Sequence, residues 1–236
     1  MGSRRLSTAS QRIDVRRTRH GRELQIEGTL ASYYRRGHAM TGSVWDALAA
    51  PLAVLAPHRV RRVLILGLGG GSAARALRAL APDATIVGVE SDRRVIKAAR
   101  RWLDLDALGL EIVHGNALRF LERDRRRFDL VLEDVFLAAE GSAWKPEWLP
   151  EPGLSMAVAR LSRGGVLVSN TIDETAAWVR AYRRLFGRVM TLRLRDYENG
   201  IVVGGTFRLS GRALRARIAS RGLLRRVLPV LSVRTA

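Results

Sequence analysis

The stretch Val63-Leu64-Ile65-Leu66-Gly67-Leu68-Gly69-Gly70-Gly71-Ser72-Ala73-Ala74 decides how the rest of the chain is read. Its four leading apolar residues have the unbroken hydrophobicity of a strand buried on both faces of a parallel sheet. The glycines allow a tight turn and a close backbone approach to a ligand, and the residues from Ala73 to Leu80 read as the start of a helix. Strand, glycine loop and helix together form a nucleotide-type binding element. The loop itself leaves the nucleotide open. Gly67-x-Gly69-x-Gly71 fits the G-x-G-x-G of enzymes that use S-adenosyl-methionine, and Gly69-x-Gly71-x-x-Ala74 fits a dinucleotide fingerprint.

Downstream, the pattern keeps alternating. Strands are expected at Arg62–Leu66, Thr85–Glu90, Leu110–His114, Asp129–Asp134 and Gly165–Asn170. The helices between them are expected at Ser72–Ala81, Asp92–Trp102, Ala117–Arg123 and Pro152–Ser162. A further helix, Glu174–Phe186, leads into two strands, Val189–Arg195 and Ile201–Leu209, with Asn199-Gly200 marking the turn between them. The predicted fold class is α/β, a Rossmann-like seven-stranded sheet of five parallel βα units closed by a terminal antiparallel hairpin. Upstream, Arg12–Arg17 and Glu23–Leu30 alternate around His20-Gly21 as a β-hairpin, with a short strand near Ser32-Tyr33-Tyr34 and a helix over Ser43–Leu55. This divides the chain into a small N-terminal β-hairpin subdomain (1–60), a Rossmann domain (61–210) and a basic helical tail (211–236).

Composition narrows the function. The chain of 236 residues has no cysteine, which excludes thiolate nucleophiles and cysteine-bound metals. No apolar run reaches the roughly 20 residues of a membrane span. Residues 1–20 lack the apolar stretch of a secretory signal, so a cytoplasmic location without membrane attachment is expected. The net charge is +19, concentrated at the ends: +6 over residues 1–22 and +8 over residues 199–236, against +5 between them. Basic ends can meet phosphates, so nucleic acid is a candidate partner, although solvated arginine faces explain the charge as well.

Each strand tip offers a candidate. Glu90, followed by Ser91, ends the second strand, where an acid accepts hydrogen bonds from ribose hydroxyls. Asn116 and Ala117 follow the third, where a short amide can read an adenine amino group or simply cap the next helix. The fourth strand, Phe128-Asp129-Leu130-Val131-Leu132-Glu133-Asp134, ends in two acids that alternation turns to opposite sides. One of Glu133 and Asp134 is therefore expected to face a ligand, where it could orient an amine and take its proton. Aromatics near this mouth (Tyr33, Tyr34, Trp45, Trp144, Trp148, Tyr197) could enclose a cation, and Asp173 and Glu174 lie at the same sheet edge. No metal site is expected.

In this order and spacing, the glycine loop, Glu90, His114-Gly115-Asn116-Ala117, the Phe128–Asp134 strand and Ser162-Arg163-Gly164-Gly165-Val166-Leu167-Val168 resemble the polyamine aminopropyltransferases, the spermidine and spermine synthases. The resemblance covers residues 12–187. It implies a class I methyltransferase fold and a transferase that moves a methyl or aminopropyl group to a small amine. The donor would be S-adenosyl-methionine or its decarboxylated form, leaving S-adenosyl-homocysteine or methylthioadenosine. It further implies a homodimer. Gly67, Gly69, Gly70, Gly71, Glu90, Ser91, Asn116 and Ala117 would hold the donor, with Asp134, or its neighbour Glu133, acting on the amine. The chain departs from the family's pattern in four places: Gly70 replaces the loop aspartate that holds the donor's tail, Ala31 replaces a glutamine, Val44-Trp45-Asp46 stands for Y-H-E, and Asn116 replaces an aspartate. An RNA or other nucleic-acid methyltransferase using the arginine-rich ends, a nicotinamide oxidoreductase, and a non-catalytic family member are the alternatives.

Overall fold

The computed structural model describes residues 11–236. Arg4 and Arg5 of the basic N-terminal end lie outside the described residues. The chain opens with a three-stranded antiparallel sheet, β1 (Ile13–Arg17), β2 (Arg22–Ile26) and β3 (Thr29–Tyr34), followed by helix α1 (Val44–Ala49), which continues as a 3-10 turn over Ala50–Val54. The expected second strand of the hairpin, Glu23–Leu30, is in fact two strands. Glu27 and Gly28 both adopt positive φ (51° and 79°) and fold the chain back on itself. Glutamate rarely takes that conformation, which is why the turn is hidden in the sequence.

The βα alternation follows. β4 (Arg62–Leu66) leads to α2 (Ser72–Leu80), β5 (Thr85–Glu90) to α3 (Arg93–Trp102), and β6 (Glu111–His114) to α4 (Ala117–Arg123). β7 (Phe128–Glu133) is followed by a small hairpin, β8 (Leu137–Ala139) with β9 (Ser142–Trp144), then α5 (Gly153–Val158), β10 (Leu161–Thr171) and α6 (Thr175–Leu185). The chain finishes with β11 (Arg188–Leu194), β12 (Gly200–Gly205), α7 (Gly211–Ser220) and β13 (Leu231–Thr235). The main sheet has the order β6-β5-β4-β7-β10-β12-β11-β13, parallel from β6 to β10 and antiparallel beyond it.

Side chains of the central strands alternate between two cores, which explains the unbroken apolar runs. Val63, Ile65, Ile86, Leu130 and Leu132 face one way, against α1, α2 and α7. Leu64, Leu66, Val87, Val89 and Val131 face the other way, against α4, α5 and α6. A third cluster, Leu24, Tyr34, Val95 and Leu103, joins the N-terminal sheet to α3.

The sheet has eight strands where seven were expected. The expected helical tail is helical over Gly211–Ser220, but Leu231–Thr235 pairs antiparallel with β11, from Leu194↔Leu231 to Met190↔Thr235. The arginines of α7 are exposed, with Arg215 donating to the Leu228 carbonyl and Arg217 to the Val54 carbonyl, while Leu214 and Ile218 are fully buried in the first core. Leu214→Ala should therefore cost about 3 kcal/mol in urea denaturation. A tail merely appended to the domain would show no loss.

Candidate active site

The carboxyl ends of the five parallel strands converge on a cavity of about 410 Å³. Each tip contributes to it: Gly67 after β4, Glu90 of β5, Asn116 after β6, Asp134 after β7 and Asn170 of β10. The opposite wall includes Ile26 and Ala31 of the N-terminal sheet and Trp45 of α1, with Trp148 and Tyr197 from loops. This is the crevice at the topological switch, where the connections leave β4 and β7 in opposite directions.

Backbone hydrogen bonds fasten the tips together. The amides of Gly67 and Leu68 both donate to the Val89 carbonyl (3.0 Å each), Asp134 N–H donates to the Leu66 carbonyl (2.8 Å), and Gly115 N–H donates to the Glu90 carbonyl (2.9 Å). Gly67 holds a φ of 84°, and a Cβ there would lie 2.4 Å from the Asp134 carbonyl oxygen. Only glycine permits that approach.

Glu90 is nearly buried, and its carboxylate braces the loop: Oε2 accepts from Gly69 N–H (2.9 Å) and Oε1 from Asp92 N–H (3.0 Å). Burial raises its pKa, and these amide bonds oppose the rise. Asn116 Oδ1 accepts from Arg119 N–H (3.1 Å), so this side chain caps α4 at the cavity rim. Ser91 and Ala117 also line the cavity. Gly70 and Gly71, expected among the donor-holding residues, do not. A Cβ on Gly70 would lie 2.7 Å from both Leu103 Cδ2 and Ser32 Cβ, and its amide donates to Ser32 Oγ (2.7 Å). A Cβ on Gly71 would lie 2.5 Å from Leu105 Cδ1. These two glycines serve packing behind the loop.

The two acids of β7 part as alternation requires. Asp134 lines the cavity and Glu133 does not. Glu133 is fully buried, bound to Lys145 Nζ at 2.6 Å and to Val135 N–H at 2.9 Å. Lys145 in turn sits 3.8 Å from the centroid of the Phe136 ring. Asp134 Oδ1 accepts from Asn170 Nδ2 (2.8 Å), and Asn170 Oδ1 accepts from Asn199 Nδ2 (2.9 Å). Burial pushes the Asp134 carboxyl up to about 7, against the opposing effects of the Asn170 bond and the Lys145 charge, with Glu133 adding to the rise.

Of the expected aromatics, Trp45, Trp148 and Tyr197 line the cavity, whereas Tyr33, Tyr34 and Trp144 do not. Phe136 joins them unanticipated. Asp173 and Glu174 stay outside; Glu174 accepts from Ile172 N–H (3.1 Å). Asn170 and Asn199 were missed as site residues. The first could have been found from its position at a strand tip. The second was read as half of an Asn-Gly turn, but Gly200 already belongs to β12, and Asn199 reaches into the cavity.

A strand order of this kind, with a glycine loop at the switch and an acid at the second tip, is that of a methyltransferase-type fold. A family model described as a methyltransferase domain matches residues 63–146. The polyamine aminopropyltransferase of Vibrio vulnificus is 31% identical over 150 residues, covering 60% of this chain and 49% of that protein. That of Chromobacterium violaceum is 36% identical over 149 residues, covering 61% and 56%. The chain thus spans about half the length of the curated relatives it matches. Among solved structures, a probable spermidine synthase from Corynebacterium glutamicum shares the fold with a TM-score of 0.76 at 20% identity, over 96% of this chain and 88% of that one. Spermidine synthase from Thermotoga maritima gives 0.64 at 21% identity, over 84% and 70%. The chain thus shares the methyltransferase-type fold of these structures, and over about three fifths of its length its sequence is similar to polyamine aminopropyltransferases.

The raised pKa of Asp134 has a consequence for stability. Below about pH 4 the carboxyl is protonated in both folded and unfolded chains. Between there and about pH 7 the unfolded chain ionises first, so stability is lost as the pH rises through this window. Asp134→Asn should therefore raise the melting temperature at pH 8 and have little effect at pH 4, as followed by circular dichroism.

Proposed function

We propose that the chain transfers the aminopropyl group of decarboxylated S-adenosyl-methionine to a small amine. The observation that carries this reading is the charge of the cavity. In a chain of net charge +19, its charged lining among the described residues is Glu90, Asp92 and Asp134, with no lysine or arginine. Such a lining favours a cationic sulfonium and an ammonium over a pyrophosphate-bearing dinucleotide. It also favours a donor with a cationic tail over one that retains a carboxylate. The similarity to polyamine aminopropyltransferases points the same way.

The residues present fit such a donor. Glu90 keeps unused lone pairs for ribose hydroxyls beside the loop amides, and the rim at Asn116 and Ala117 suits an adenine edge. Bound there, the sulfonium would supply an electrophilic carbon and leave as a neutral thioether. Asp134 would orient the acceptor amine and take its proton, freeing the lone pair that attacks. Asn170, held by Asn199, fixes the rotation of that carboxylate. Trp45, Phe136, Trp148 and Tyr197 would exclude water and offer ring faces to the ammonium. Glu133 has no part in proton transfer in this scheme, since its charge is committed to Lys145.

The test is to incubate the protein with either donor and a panel of small amines, and to identify the nucleoside released. Methylthioadenosine from the decarboxylated donor is expected. S-adenosyl-homocysteine from the carboxylated donor at comparable rates would replace aminopropyl by methyl transfer, and calorimetry with no binding of either would overturn the assignment. Asp134→Asn should lower turnover by about 10²–10⁴-fold while leaving donor affinity within a few-fold. With the wild-type chain, kcat/KM should rise with pH to a half-maximum near the Asp134 pKa of about 7.

A further inference from the structure

A second cavity, of about 460 Å³, shares no residue with the first and has the opposite charge. It lies at the other end of the N-terminal sheet, between the β1–β2 turn and the end of α3. Arg17, Arg19 and Arg22 come from the turn and its flanks, Arg36 follows β3, and Arg100 and Arg101 close α3. His20 adds a seventh nitrogen base, and Asp104 is the one carboxylate in the lining.

Few of these guanidinium groups are neutralised by a carboxylate. Among the described residues only Arg100 has an acidic partner, Asp106 at 2.9 Å, in a pair exposed enough to be weak. Arg17, Arg19 and Arg36 are exposed and face no carboxylate within ion-pair distance among the described residues. Two of the carbonyls at the end of α3, which would otherwise repel an anion, are covered: Arg22 donates to Trp102 O (2.7 Å), and Arg75 donates to Leu103 O. Trp102, 40% exposed, stands at this cavity with the guanidinium groups of Arg22 and Arg101 at 5.5 and 4.9 Å from its ring centroid.

Six like charges around one concavity repel one another within a Debye length, and a concave wall concentrates their field on whatever occupies it. Solvated arginines on a convex face would need no counter-charge. Arginines converging on a hollow of nucleotide size fit clustered phosphates, which accept forked guanidinium bonds. We propose that this cavity binds a compact anion carrying several phosphate charges, such as a nucleoside triphosphate, at a site separate from that of group transfer. Its volume of about 460 Å³ matches a compact ligand, and a nucleic-acid strand is the alternative that titration separates.

Calorimetric titration of the full chain at physiological salt tests this with orthophosphate, tripolyphosphate, ATP and a ten-nucleotide RNA. Saturable one-to-one binding of tripolyphosphate and ATP, with orthophosphate far weaker, is expected. ATP binding tighter than tripolyphosphate would identify a nucleotide as the source, and equal affinity would identify the phosphate chain alone. Arg19→Glu with Arg36→Glu should weaken binding by at least about tenfold, whereas Arg208→Glu with Arg212→Glu, the same charge change on exposed residues elsewhere, should weaken it less than about twofold. Equal losses in the two double variants, or saturable binding of the RNA alone, would overturn the proposal.

Discussion

The contact between Gly67 and the backbone of Asp134 is the constraint on which the candidate site depends. The loop leaving β4 must cross the end of β7 closely enough that a single added carbon would strike the Asp134 carbonyl oxygen. That crossing places the loop amides beside Glu90, and it sets the Asp134 side chain at the cavity wall beside the same loop. The amide ties from Gly67 and Leu68 to Val89, and from Asp134 to Leu66, make the three central strands one rigid frame. Functional groups on such a frame are held more tightly than loop residues can hold them.

Adjacent acids on β7 illustrate how one element assigns unlike tasks. Strand alternation sends Glu133 into the protein, where Lys145 neutralises it, and leaves Asp134 at the cavity, bonded to the neutral amide of Asn170. A buried ion pair of this kind adds little net stability, because desolvation offsets the attraction. Its positive member nevertheless restrains the rise in the Asp134 pKa, keeping it near neutrality.

The parallel strands were legible because burial on both faces writes unbroken apolar runs, and the strand-tip residues followed from chain direction. Glu90, Asn116 and Asp134 line one cavity for that reason. What the sequence concealed depends on contacts between distant segments. Gly70 and Gly71 look like ligand glycines, but the space they save is taken by Ser32, Leu103 and Leu105. Whether Glu133 or Asp134 faces inward depended on the register of β7, and Lys145 lies in a loop with no periodic signal. β13 is short, arginine-bearing and joins an edge, so nothing local distinguishes it from the end of a tail.

The hydrogen bond between Ser32 Oγ and the Gly70 amide ties the N-terminal sheet to the glycine loop, and the same pair of positions is in steric contact. In genetic terms, residues 32 and 70 form an epistatic unit. A carboxylate at position 70 would need room from both Ser32 and the Leu103 side chain, and a smaller residue at 32 alone would orphan a buried amide. Each of these single steps is penalised, so a lineage starting from this chain would reach the aspartate-bearing loop only through linked changes at 32 and 70 with Leu103 giving way.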